Sequence, residues 1–266
     1  MLLAFDVGNT EIVLGVFIDG ALVQNWRIET MRQRSADEYG MMVNQLFEFE
    51  GLKLSDVRSV IVSTVVPSVL YTLQHMAQKY IGARAMVVGP GIKTGLKIVY
   101  DDPTQVGADR IVNAVAALHK YGGPVIIIDF GTATTFCACT KDWRYVGGAI
   151  APGLKISADA LFEKTAKLPR VELEEPPSVI CKNTIDSMKS GLVLGHRGLV
   201  EYLATKMKEE LAGIDGSGES VRIIATGGMA GLIKEGLAIV DIVDKMLTLE
   251  GLVYIHEKNK KDWKES

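Results

Sequence analysis

Asp6 and Asp129 each lie at the end of an apolar run, just ahead of a glycine turn that carries a hydroxyl. The first turn is Asp6-Val7-Gly8-Asn9-Thr10 after Leu-Leu-Ala-Phe, and the second is Asp129-Phe130-Gly131-Thr132 after Pro-Val-Ile-Ile-Ile. Glycine lets the main chain approach an anion closely, and turn N–H groups with Thr10 or Thr132 can donate to phosphate oxygens. A carboxylate beside a phosphate is repulsive, so the two acids make sense only with a cation or metal-bound water between them. The chemistry indicated is the binding of ATP with Mg2+. One such turn is an ordinary hairpin feature. Two at matched strand ends, with Thr226-Gly227-Gly228 after a third strand, are more specific. Neither a G-x-x-x-x-G-K-[ST] loop nor a G-x-G-x-x-G after a strand competes with them.

A third acid lies in Gly107-Ala108-Asp109-Arg110, at the head of a helical pattern over 104–120. Ile111, Val115 and Leu118 mark its apolar face, and Asp109 with Asn113 shares another. Phosphoryl transfer to an alcohol needs a carboxylate near the acceptor oxygen, distinct from those tending the metal. Asp109 is the candidate, although an acid near a helix N-terminus also simply complements the dipole. Arg110 offers a planar fork for a carboxylate or phosphate, and Tyr100, in a proline-containing turn, is placed to cover an acceptor. His75, His119, His196 and His256 lie in separate segments without ligand spacing and are expected to be core or surface residues. Cys137, Cys139 and Cys181 are too few for a metal site and read as reduced thiols.

The elements that must position these groups come in the same order twice, strands first and then helices alternating with strands. That order predicts an α/β protein of two duplicated subdomains, each with a mixed sheet, and a cleft between them. The expected division is 1–118 (first phosphate turn and acceptor-base helix), 119–255 (second phosphate turn and Thr226-Gly227-Gly228) and a solvated polar tail, 256–266. A helix is expected over 37–51, with Asp37 as its cap and Met41, Leu46 and Phe49 on its apolar side. Another ends at Gly122, the glycines within 187–211 imply a break or close packing, and 211–220 reads as a loop. The 266 residues are 48% hydrophobic and 23% charged, with net charge −3. That balance argues against nucleic acid or an anionic membrane as partner. The opening apolar run lacks a basic leader and is cut by Asp6, and no stretch approaches the ~20 apolar residues of a membrane span. A cytoplasmic protein is expected.

In order along the chain, DVGNT, YDDPTQVGADR, DFGTATT, GGAIAPGL, LPRVELEEPP, KNTIDSMKSG and TGG give it the pattern of a known family. The sequence resembles the type III pantothenate kinases, of the actin/sugar kinase/heat-shock-70 fold superfamily, from residue 2 to about 255. The resemblance implies two ribonuclease-H-like subdomains and ATP-dependent phosphorylation of pantothenate to 4′-phosphopantothenate, the first step of coenzyme A synthesis. It assigns ATP to Asp6, Val7, Gly8, Asn9, Thr10, Glu11, Ile12, Val13 and Thr132. Asp109 would accept the proton of the pantothenate hydroxyl. Tyr100, Gly107, Ala108, Asp109, Arg110 and Thr184 would line the acceptor pocket, with Arg110 facing the substrate carboxylate. Asp129 would hold a monovalent cation, K+ or NH4+, used beside Mg2+, and the protein would be a homodimer. Cys181, Lys189 and the His196 segment depart from the family's usual Gly, Gln and Tyr-containing stretch. The alternatives are a kinase for another small hydroxylated metabolite and a non-catalytic nucleotide-binding regulator.

Overall fold

The computed structural model describes residues 1–264, which form two compact units. The first comprises Met1–Gly95, Thr104–Ala116 and the described chain from Thr248 onward. Its sheet contains β1 (Leu2–Val7), β2 (Glu11–Ile18), β3 (Ala21–Glu29), β4 (Ser59–Thr64) and β5 (Ala85–Val87), in the order β3-β2-β1-β4-β5. β1 and β3 run antiparallel to β2, whereas β1, β4 and β5 are mutually parallel. Asp19 and Gly20 turn β2 into β3 with φ of 50° and 83°, the left-handed pair that matches strand twist in a two-residue hairpin. Leu3, Phe5 and Val7 of β1 pack with helices α1 (Ala36–Phe49) and α2 (Pro67–Met76) in one apolar core.

α1 corrects two details of the sequence reading. Ser35 is its cap, in a reciprocal capping box with Glu38, while Asp37 accepts from Lys79 Nζ at 2.7 Å and Tyr80 Oη at 2.8 Å. The buried stripe is Tyr39, Val43 and Phe47, and Met41 and Phe49 are 53% and 87% exposed. Gly40 decides the face: a methyl there would stand 2.5 Å from the ring of Tyr80, so the helix presents this side to its neighbour.

The second unit comprises Leu96–Pro103 and Ala117–Leu247. Its strands are β6 (Lys97–Ile98), β7 (Val125–Phe130), β8 (Ala133–Cys139), β9 (Arg144–Pro152), β10 (Arg222–Thr226) and β11 (Ile242–Val243), ordered β11-β10-β7-β8-β9-β6. Without β6, order and strand directions repeat those of the first sheet. The duplication read from the sequence is therefore the architecture. α4 (Leu154–Lys164), α5 (Thr184–Lys189), α6 (Gly195–Asp215) and α7 (Ala230–Lys234) contribute residues to the core of this unit or flank it. A single π turn, Ser190–Leu194, joins α5 to α6, which is the break foreshadowed by the glycines. α6 runs to Asp215 before Gly216 closes it with φ 67°, so the expected loop is shorter than 211–220.

Helix α3 (Ala108–Tyr121) departs from the amphipathic expectation, since every residue from Val112 to Leu118 is buried. Within the first unit it is met by the C-terminal helix, α8 (Leu247–Lys264), where Thr248 Oγ1 donates to Asn113 Oδ1 at 2.7 Å. A methyl on Gly251 would lie 2.7 Å from Val112 Cγ1 and 3.1 Å from Ala116 Cβ. The tail expected to be solvated from 256 is thus helical as far as it is described, and packed. Asn259 is 5% exposed and brackets the backbone of Lys93, accepting from its N–H and donating to its carbonyl, each at 2.9 Å. Arg84 stacks on the Trp263 ring at 4.7 Å. These contacts also group the segment from Thr248 with the first unit rather than the second. Among the described residues, no helix is long and apolar enough to cross a membrane. Gly251→Ala should lower unfolding stability by about 1–3 kcal/mol, the usual cost of overpacking a tight contact. Urea denaturation measures this, and an unchanged midpoint would mean that α3 and α8 have room to separate.

Candidate active site

In the first unit, Asp6 is the next-to-last residue of β1, in register with Val13 on one side and Ser63 on the other. It alternates with Phe5 and Val7 and so projects from the face opposite the α1/α2 core. The turn closes through Gly8 N–H to Glu11 O at 3.0 Å. Thr30 braces it, donating from Oγ1 to Gly8 O at 2.8 Å and from its N–H to Thr10 O at 2.9 Å. Asn9, Thr10 and Glu11 are exposed, whereas Val7 and Ile12 are fully buried. Of the span Asp6–Val13, the tip is open to a ligand, while Val7 and Ile12 anchor it in the core.

Asp109, in the first turn of α3, lies near the same end of this sheet. Val65 N–H donates to Val7 O at 3.1 Å, and the Val65 side chain lies 3.7 Å from where a Gly107 methyl would stand. Such a methyl would also strike Asp109 Oδ1, so Gly107 is what lets the carboxylate fold back over the chain. Asp109 Oδ1 accepts from Arg110 N–H at 2.8 Å, and Arg110 itself is 6% exposed. Burial raises the Asp109 carboxyl above its usual range, against the opposing pull of the Arg110 N–H and guanidinium. A carboxylate made more basic by its surroundings suits a proton acceptor.

The second unit repeats the turn. Asp129 is the next-to-last residue of β7, in register with Thr135 of β8 and Thr226 of β10. Gly131 N–H donates to Ala133 O at 3.1 Å, leaving Gly131 and Thr132 exposed. Two glycines crowd this end of the sheet. A methyl on Gly227, whose φ is 91°, would lie 2.5 Å from Asp129 Oδ1 and 2.7 Å from Phe130 N. A methyl on Gly153 would be 2.7 Å from Gly131 O. The exposed Thr184 lines an open pocket of about 700 Å3 with Leu161, Leu168, Lys182 and Met188. Tyr100 follows β6 and meets Tyr145 edge-on, with ring centroids 6.3 Å apart.

The first unit thus brings together Asp6–Val13 and Gly107–Arg110, and the second holds Tyr100, Asp129, Thr132 and Thr184. The sequence reading missed Thr30, Ser63 and the role of Gly153. It also left His196 as an ordinary core histidine. His196 is indeed buried, with Nε2 2.9 Å from Thr134 Oγ1, and burial lowers its pKa, favouring the neutral ring. Cys137 and Cys139 are buried free thiols, and Cys181 is a half-buried one.

Among the described residues, no three His, Cys, Asp or Glu side chains gather as a metal site. Mg2+ arriving with a nucleotide needs only one or two carboxylates beside the phosphates and water, and Asp6 and Asp129 at the strand ends fit that need. Ser63 adds to the fit. Its Oγ is buried without a hydrogen-bond partner, on the strand beside Asp6, and a buried orphan hydroxyl of this kind marks a place for water or an ion.

The type III pantothenate kinase family matches residues 2–206. Solved structures share the fold at low identity. A conserved protein assigned to the Baf family of transcriptional activators, from Campylobacter jejuni, is 17% identical with TM-score 0.56, over 97% of this chain and 99% of that one. Ethanolamine utilization protein EutJ from Carboxydothermus hydrogenoformans is 17% identical with TM-score 0.53, over 95% and 89%. A protein assigned as a 2-dehydro-3-deoxygalactonokinase from Sinorhizobium meliloti is 12% identical with TM-score 0.53, over 97% and 98%. At these identities they speak for the two-subdomain actin/sugar kinase/heat-shock-70 fold. The family match carries the activity class, and with the repeated acid–glycine turns and the acid of α3 it shows that this chain belongs to the type III pantothenate kinases, a family of phosphotransferases.

Proposed function

We propose that the chain transfers the γ-phosphoryl group of ATP to the primary hydroxyl of pantothenate, giving 4′-phosphopantothenate, the first step of coenzyme A synthesis. The observation that carries this reading is Asp109. It is a carboxylate made more basic by burial, near the sheet end that also carries the Asp6 turn, in a chain whose family uses pantothenate. Asp109 takes or orients the hydroxyl proton while main-chain N–H groups of Asp6–Val13 and the Thr132 hydroxyl hold phosphate oxygens. Gly107, Ala108, Arg110, Tyr100 and Thr184 bind the acceptor, with the Arg110 fork directed to its carboxylate. Asp6 would hold Mg2+ through water, and Asp129 would hold K+ or NH4+. Mg2+ bound with ATP supplies charge neutralisation on the phosphates.

A homodimer in the cytoplasm is part of the same proposal. Val179 and Ile180, 74% and 88% exposed and just ahead of Thr184, support it, because a second copy would cover them. Cys137, Cys139 and Cys181 stay reduced in that compartment.

ADP release from Mg·ATP should depend on pantothenate and be faster in K+ than in Na+. Turnover indifferent to the salt would remove the cation from Asp129. Turnover with another small alcohol and none with pantothenate would move the enzyme to a different acceptor. Asp109→Asn should keep ATP binding and lose ~10²–10⁴ in rate, the range of a missing general base.

The same variant has a pH signature. A folded-state pKa above the unfolded one means the folded chain binds more protons, so this carboxyl's contribution to stability is present at low pH and is lost as pH rises through its folded pKa. Asp109→Asn should therefore gain melting temperature relative to the parent across that window, with no gain below the ordinary aspartate range. A difference independent of pH would show that the carboxyl is not perturbed by folding.

A further inference from the structure

The second phosphate turn is a short hairpin whose closing pair is Phe130 opposite Thr134. Its exposed tip, Gly131-Thr132, must hold its shape with no side chain of its own in the core. One residue touches both legs of that pair. The His196 ring lies 6.1 Å from the Phe130 ring, centroid to centroid, and His196 Nε2 lies 2.9 Å from Thr134 Oγ1.

Packing alone does not explain these choices. His196 heads the buried stripe of α6 that continues through Val200 and Ala204, where an aliphatic side chain would fill space without a polar group to satisfy. Thr134 is likewise 1% exposed. Two buried polar groups are compatible with this layer because they satisfy each other. The π turn at Ser190–Leu194 directly precedes Gly195-His196, and such irregular turns are frequent at functional sites. Asp129, one residue before Phe130, alternates to the opposite face of the sheet. His196 therefore holds the turn from the side that no proposed ligand occupies.

We propose that His196 is a positioning residue for nucleotide: by binding Thr134 and flanking Phe130 it sets the shape of the Gly131-Thr132 turn and so the affinity for the ATP phosphates. The proposal rests on reading that turn as a phosphate turn, and it does not depend on which alcohol is phosphorylated.

The test separates the hydrogen bond from the ring. His196→Phe keeps an aromatic ring beside Phe130 and removes the bond, whereas His196→Gln keeps a polar group of similar reach. Binding of Mg·AMP-PNP by calorimetry should weaken about 10-fold in His196→Phe, the scale of one buried hydrogen bond, and within about 3-fold in His196→Gln. The KM for ATP should follow, and the KM for pantothenate should not. Thr134→Val, which leaves the histidine in place, should weaken nucleotide binding as His196→Phe does, and the double variant should be no worse than either. That variant carries the test should His196→Phe fail to fold. Unchanged nucleotide affinity in Thr134→Val, or equal losses in the Gln and Phe variants, would overturn the proposal. Parent protein that binds the nucleotide but does not phosphorylate pantothenate would sink the proposed function and leave this inference standing.

Discussion

A strand hydrogen-bonded on both sides offers a ligand only its end, and that constraint organises each unit. β1 and β7 are paired along their length on both flanks, so neither has a free edge, and both are buried apart from one half-buried position. That position is the next-to-last residue and is aspartate in each. The neighbouring strands hold the carboxylate to within the tolerance of a sheet, and the turn that follows presents main-chain N–H groups at the same end. Rigid strand and adaptable turn thus meet within a few residues. The glycines at 153 and 227 then clear the space that side chains would otherwise fill.

The polar groups near these ends lie in surroundings that perturb them. Asp109 is raised by burial although the first turn of α3 and its own Arg110 draw it down. Ser63 leaves a hydroxyl unmatched beside Asp6. Each costs folded-state stability in the protein alone. Away from these ends, Arg197 grips Glu175 with paired bonds of 2.6 and 2.8 Å.

What could be read from the sequence divides along the same physical line. The duplication was legible because acid, glycine and hydroxyl recur at adjacent positions, and adjacency survives in one dimension. The face of α1 was not, because Met41, Leu46 and Phe49 also recur near helical spacing, and the choice rests on a tyrosine forty residues away in the chain lying over Gly40. His196 and Thr134 are separated by sixty-two residues, and a single histidine among glycines carries no mark of its partner. The lysines after Asn259 hid the packed side of α8, since Asn259, Asp262 and Trp263 meet Lys93 and Arg84 of the first unit while Lys261 between them is charged and exposed.

The return of α8 to the first unit bears on how the protein is made. A ribosome delivers β1 to β5 early, yet Gly15 of that sheet is covered by Leu249, on a helix synthesised after the second unit. The second unit is nearly contiguous, interrupted only by Thr104–Ala116, and can close while the first still waits with Gly15 and the Val112 side of α3 uncovered. Nascent chains of this design therefore carry an open apolar seam until late in synthesis, and the half encoded first is the half finished last.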